Sequence, residues 1–178
     1  MKKLIYNSRK KKFLKKHPRK ARFVNFEKTT SVLLLFESDG KGDESMKNIV
    51  QSLKNDQKHV LALGFSKLNS PTEYNLSEVI VFNQKDVDFF QKPKKAVLDL
   101  IKQQKFDLLI DLSVSKLIPI MYLSLYCDAS MKISTKVAET QIFDFILSAE
   151  NSKEKNTDNI QYFFKEIIFY LKSIQTTD

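Results

Sequence analysis

A chain of 178 residues holds one domain's worth of sequence, and its 42% hydrophobic and 29% charged residues are those of a folded protein. Its one cysteine, Cys127, excludes an internal disulfide and a multi-cysteine metal centre, and two histidines, His17 and His59, leave little material for a zinc site or a histidine-based triad. The net charge of +9 is unevenly placed: residues 1–28 carry twelve Lys or Arg against one acid, Glu27, for +11, while residues 29–178 carry eighteen lysines against twenty acids, for −2.

The chain therefore reads as a basic N-terminal arm, 1–28, on a near-neutral body, 29–178, taken as a single domain. In the arm Leu4, Ile5 and Tyr6 run straight into Asn7, Ser8 and Arg9, so the apolar core of a secretion signal is missing. No apolar run approaches the roughly 18 residues of a membrane span. A cytoplasmic protein with no transmembrane segment is expected, in keeping with its lone cysteine. Leu4 and Ile5 stand about two turns before Phe13 and Leu14, so 2–16 can form a weakly amphipathic helix, which Pro18 interrupts near His17.

In the body, residues 31–37 form a short apolar run, the mark of a buried strand. A loop with Asp39, Gly40, Lys41 and Gly42 follows, then Met46, Ile49, Val50 and Leu53 recur at helical spacing, with Asp43 or Ser45 able to cap the start. Residues 59–65 read as a second strand, and 78–82, after a loop carrying Pro71, as a third. A connector over 83–93 holds Phe89 and Phe90 and ends on Pro93, which suits a helix opening; Val97, Leu98 and Ile101 mark that helix's inner face. Residues 106–112 predict a fourth strand, and 117–126 an almost wholly apolar helix buried on most sides. Two short strands are expected at 131–134 and 143–148, free to pair antiparallel, with a polar loop over 151–158. Ile160, Phe163, Phe164, Ile167, Ile168, Leu171 and Ile174 then form one broad helical stripe that should close against a sheet face. Strands alternating with helices predict an α/β fold: an open, mainly parallel, Rossmann-like sheet with helices on both faces.

In such sheets ligands bind at the carboxyl ends of the strands. The loop after the first strand lacks both the dinucleotide glycine pattern and the P-loop pattern, and Glu37, Asp39, Asp43 and Glu44 crowd negative charge where a phosphate would sit. If the first and fourth strands are neighbours, Glu37, Asp39 and Asp111 converge near Ser113, a set suited to a hard cation or a small ligand. The competing reading makes Asp39 and Asp43 turn and cap residues, and Ser113 or Ser115 the cap of the next helix. Cys127 reads as a small buried hydrophobe. One of Phe89 and Phe90 is a candidate partner contact.

The arm carries the strongest signal. Arg9, Lys10, Lys11, Lys12, Lys15, Lys16, Arg19, Lys20 and Arg22 are interleaved with Phe13, Leu14 and Phe23, so cations can neutralise phosphates while apolar groups dock or stack. RNA or the ribosome, an anionic membrane surface and a protein partner all fit; no cofactor is indicated.

Four phrases, VLLLFESD at 32–39, DFFQKP at 88–93, FDLLIDLS at 106–113 and IIFYLKSIQT at 167–176, make the chain resemble a family of small uncharacterised proteins of Bacteroidetes-type bacteria, a domain of unknown function. The resemblance runs over nearly the whole chain. It implies a bacterial, cytoplasmic, stand-alone domain and brings no catalytic residue with it. The expectation is a non-enzymatic binding protein whose arm contacts RNA or the ribosome. The alternatives are a small-ligand binder or enzyme using the strand ends, and a peripheral membrane or assembly factor.

Overall fold

A computed structural model of the chain describes residues 1–38, 43–69, 74–135, 140–147 and 159–173. Apolar residues on both faces of the strands place the sheet between two cores. In β1 (Ser31–Ser38), Leu33 and Leu35 enter one core while Val32, Leu34 and Phe36 enter the other. The remaining strands are β2 (His59–Ser66), β3 (Val79–Phe82), β4 (Phe106–Asp111), β5 (Ala129–Ser134) and β6 (Phe145–Ile146). They form one sheet in the order β3-β2-β1-β4-β5-β6, with every pairing parallel, the α/β Rossmann-like arrangement that the alternation of elements predicts. The last two strands pair parallel as well, and β6 keeps only two residues of the longer strand expected.

The helices are α1 (Lys2–Lys16), α2 (Asp43–Asn55), α3 (Lys95–Lys102), α4 (Ile118–Tyr126) and α5 (Asn159–Ser173). α3 and α4 cover one face and α2 and α5 the other. α4 is buried from Pro119 to Leu125, as its unbroken apolar run requires. The α5 stripe closes the second core through Ile160, Phe163, Phe164, Ile167 and Leu171. α2 ends with Gln57 at φ 59°, where the Lys58 N–H donates to the Leu53 carbonyl and the Gln57 N–H to that of Lys54. That pair of bonds satisfies the last turn and normally favours glycine at the left-handed position. Asp39 with Gly40, Lys41 and Gly42, the loop at Pro71, the polar span 151–158 and Ile174 lie outside the described residues.

The basic arm is folded onto the body. α1 packs on α4, with the ring of the fully buried Tyr6 edge-on to Tyr122 at 5.0 Å. The docked side of α1 carries Tyr6, Phe13 and Leu14, and Leu4, expected on the apolar side, is exposed. Beyond His17 the chain crosses the amino ends of the strands. The Arg22 N–H donates to the Ser130 carbonyl, Phe26 enters the second core, and the N–H groups of Thr30 and Ser31 donate to Asp107. Burial pushes the Asp107 carboxyl up, but the bonds from Thr30 and Ser31 outweigh it and hold it below the usual range. Lys58 fixes the crossing from the far side, donating to the carbonyls of Phe26 at 2.9 Å and Glu27 at 3.3 Å. Residues 1–30 thus form a strap that links both cores across the amino ends of the strands.

Candidate functional site

The phosphate-contact candidates of the strap do different things. Arg9 and Arg19 hold the strap down. The Arg9 guanidinium donates to the Tyr122 hydroxyl at 3.3 Å, lies 3.9 Å from Asp88 and sits over the Phe90 ring at 5.4 Å. Arg19 forms a two-pronged ion pair with Asp144 and also donates to the carbonyls of Ala129 at 3.1 Å, Ser130 at 3.0 Å and Ile142 at 3.4 Å. Asp144 in turn accepts the Lys132 backbone N–H at 2.7 Å. These two arginines, grouped by sequence with the phosphate-contact candidates, are occupied within the chain; at Arg19 the planar fork of donors suits the Asp144 carboxylate and the carbonyls at the start of β5. Lys10 lies over the Tyr6 ring at 5.7 Å.

Lys11, Lys12, Lys15, Lys16, Lys20 and Arg22 are all exposed, and none has an ion-pair partner among the described residues. Lys15 and Lys16 lie in the last turn of α1, where the negative end of the helix dipole favours cations, and Lys11 and Lys12 in the turn before it. Docking through Tyr6 and Phe13 therefore presents them on a fixed scaffold.

Beside them a cleft of about 1120 Å³ opens between the strap, the end of α4, the start of β5 and residues 140–144. Lys11, His17, Lys20 and Arg22 line it from the strap, and Lys105 and Tyr126 from the body. It lies at the amino ends of the strands, away from the carboxyl-end crevice where sequence reasoning looks first. Exposed His17 rests on Phe13 at 4.5 Å, and the rings continue inward from Phe13 to Tyr126 at 4.8 Å, Tyr122 at 5.7 Å and Tyr6 at 5.0 Å. Lys132 lines the cleft floor at 3% exposure and donates to the Ser124 carbonyl at 2.7 Å. Burial drives its amine down to about 8. Neither His17, Lys105, Lys132 nor Asp144 stood out as a site residue in the sequence. Lys132 between Met131 and Ile133 in a buried strand was the one available signal.

At the carboxyl ends, β1 and β4 are neighbours, with Leu35 opposite Asp111. Glu37 and Asp111 thus project from the same face of adjacent strands, two residue levels apart. Glu37 pairs with Lys67 at 2.9 Å; burial pushes its carboxyl up, but hydrogen bonds from Lys67 and Ser115 outweigh this and hold it below the usual range. Asp111 is buried and accepts from both the N–H and the hydroxyl of Ser113, with Ser134 opposite it on β5. Ser113 and Ser115 do not cap α4, whose cap position is Leu117 with no side-chain bond. Among the described residues no three His, Cys, Asp or Glu side chains come together as metal ligands.

Phe89, 68% exposed, stands at the tip of a tight loop over 87–93 closed by a Val87–Pro93 bridge, while Phe90 tucks under Arg9. Asp88 holds this loop through the N–H groups of Phe90 and Lys92, and Gln91 takes φ 66°. Cys127 is buried beneath the cleft, and burial pushes its thiol up to about 12, the state of an inert hydrophobe. Among the described residues no helix is long and apolar enough to cross a membrane.

Comparison with curated proteins and with solved structures finds no match to this chain. A family description does match, over residues 2–174, which takes in the strap together with the whole sheet. The chain belongs to the family of unknown function DUF6913.

Proposed function

We propose that this protein is a non-enzymatic, cytoplasmic RNA-binding protein that meets RNA on the ribosome through its basic strap. The observation carrying this reading is the division of the strap's cations. Arg9 and Arg19 are used in docking, while Lys11, Lys12, Lys15, Lys16, Lys20 and Arg22 are exposed without ion pairs among the described residues. A patch held rigid this way neutralises phosphates without first ordering a tail, so less conformational entropy is lost on binding. Such contacts position the protein on the polymer and carry little base specificity. The bacterial setting implied by the sequence resemblance fits a ribosomal partner.

Salt dependence is the test. If Lys11, Lys12, Lys15, Lys16, Lys20 and Arg22 each neutralise one phosphate of single-stranded RNA, log affinity falls against log salt with a slope of about −4. Reversing Lys11, Lys12, Lys15 and Lys16 to Glu should abolish binding with the fold intact. A complex insensitive to salt, or to that reversal, contradicts the proposal. Binding to anionic vesicles in place of RNA would assign the surface to a membrane.

A second reading rests on the buried Asp111, Ser113 and Ser134 at the β1–β4 switch, where open parallel sheets take small ligands. It predicts a raised melting temperature with ATP, NAD or Mg²⁺ that Asp111→Asn removes, and an unchanged melting temperature would eliminate it.

A further inference from the structure

The cleft beside the strap has features a plain phosphate contact does not need. Its strap wall carries Lys11, Lys20 and Arg22, cations without ion-pair partners among the described residues. His17 lines the cleft with them, exposed and resting on Phe13 at 4.5 Å with an interplanar angle of 33°. Phe13 is wedged against Tyr126, so the imidazole is backed by a file of rings running to the buried Tyr6. Of the acids at the cleft, Asp144 is neutralised by Arg19, and Asp128 lies exposed 3.9 Å from Lys105. The wall toward the strap is therefore positive, and it carries an imidazole supported by Phe13.

From this juxtaposition we infer that the cleft takes an unpaired stretch of RNA, one base stacking on His17 and the flanking phosphates lying against Lys11, Lys20 and Arg22. A groove that combines cations with stacking rings is how single strands are held without sequence readout. A duplex fits poorly here, because its bases are stacked on one another and present no free face. The inference rests on the proposed RNA-binding function and narrows it from RNA in general to single-stranded RNA at one place.

The test compares the full chain's affinity for a labelled, unstructured RNA of about 12 nucleotides with that for its duplex form, at about 50 mM salt. The single strand should bind about tenfold or more tightly than the duplex. His17→Ala should weaken single-strand binding about fivefold, the low end for a lost base–aromatic stack, without changing the salt slope. His17→Phe should restore it, and Lys20→Glu should lower both affinity and slope. His17 and Lys20 are exposed, so unchanged melting temperatures will show the variants folded.

Equal affinity for duplex and single strand, or indifference to His17→Ala and Lys20→Glu, overturns the cleft assignment. If Lys12→Glu with Lys16→Glu, outside the cleft, still abolishes binding in that case, RNA binding stands and the cleft inference alone falls. No binding of either RNA overturns both.

Discussion

Replacing Arg19 with Ala removes the strongest tie between strap and body. The side chain makes two charge-assisted bonds to Asp144 and three bonds to backbone carbonyls at the start of β5 and at Ile142. The Asp144 side chain is only 9% exposed, so Arg19→Ala leaves a carboxylate and three carbonyls short of donors, whereas the Arg19 side chain is 25% exposed. Breaking a fully buried pair costs about 3–5 kcal/mol; partial access of water at the arginine end brings the expected loss to about 2–4 kcal/mol. Arg19→Lys keeps the charge but loses the fork, and should recover about 1 kcal/mol of that. Urea denaturation measures the loss, and amide hydrogen exchange of α1 shows whether the strap opens first. Arg19→Ala within about 0.5 kcal/mol of wild type, with α1 exchange unchanged, would refute the claim that the strap is part of the fold. So would additivity with Asp144→Ala, since residues in direct contact should couple.

Lys132, whose amine is lowered by burial from the ordinary 10.5 to about 8, binds its proton less tightly folded than unfolded. Its stabilising contribution is therefore complete above the unfolded value and is lost as pH falls through the folded one; relative to Lys132→Met, wild type should gain about 3 kcal/mol between pH 8 and 10.5, read by chemical denaturation across that window. A Cβ added at Gly64 would stand 2.5 Å from Cζ of the buried Phe36 ring, so Gly64→Ala should cost about 1–3 kcal/mol, and adding Phe36→Leu should recover part of it in the same assay. The Cys127 thiol, held near 12, should resist iodoacetamide at neutral pH in the folded protein and react at the ordinary rate once unfolded, as mass spectrometry will show.

β1 and β4 were legible because they are apolar runs buried on both faces, and α4 and α5 because their apolar surfaces are broad. The neighbouring of β1 and β4 could only be supposed from the sequence, because alternation of elements leaves strand order open, and hydrogen bonding between the strands supplies it. Docking of the arm was much less legible. Its anchors, Tyr6, Arg9 and Arg19, find Tyr122, Asp144 and the start of β5 more than a hundred residues away, and no local periodicity records such a partner. Composition alone made all the arm's cations equivalent, and the fold separates those that hold the strap from those that face outward. Asp144 looked like any residue of a short strand, and the cleft became visible only when the strap was laid across the amino ends of the sheet. The same fact shapes the experiments: deleting residues 1–28 would strip Tyr6 and Phe26 from the two cores, so charge reversal on the full chain is the cleaner perturbation.

The most direct measurement is gradient sedimentation of cell lysate at low and high salt, comparing the full chain with its Lys11→Glu, Lys12→Glu, Lys15→Glu, Lys16→Glu variant. The wild-type chain should travel with ribosomes at low salt and leave them at high salt, while the variant should stay at the top of the gradient throughout. A wild-type chain that remains at the top at low salt, or a variant that travels with ribosomes as well as wild type, would contradict the proposed function.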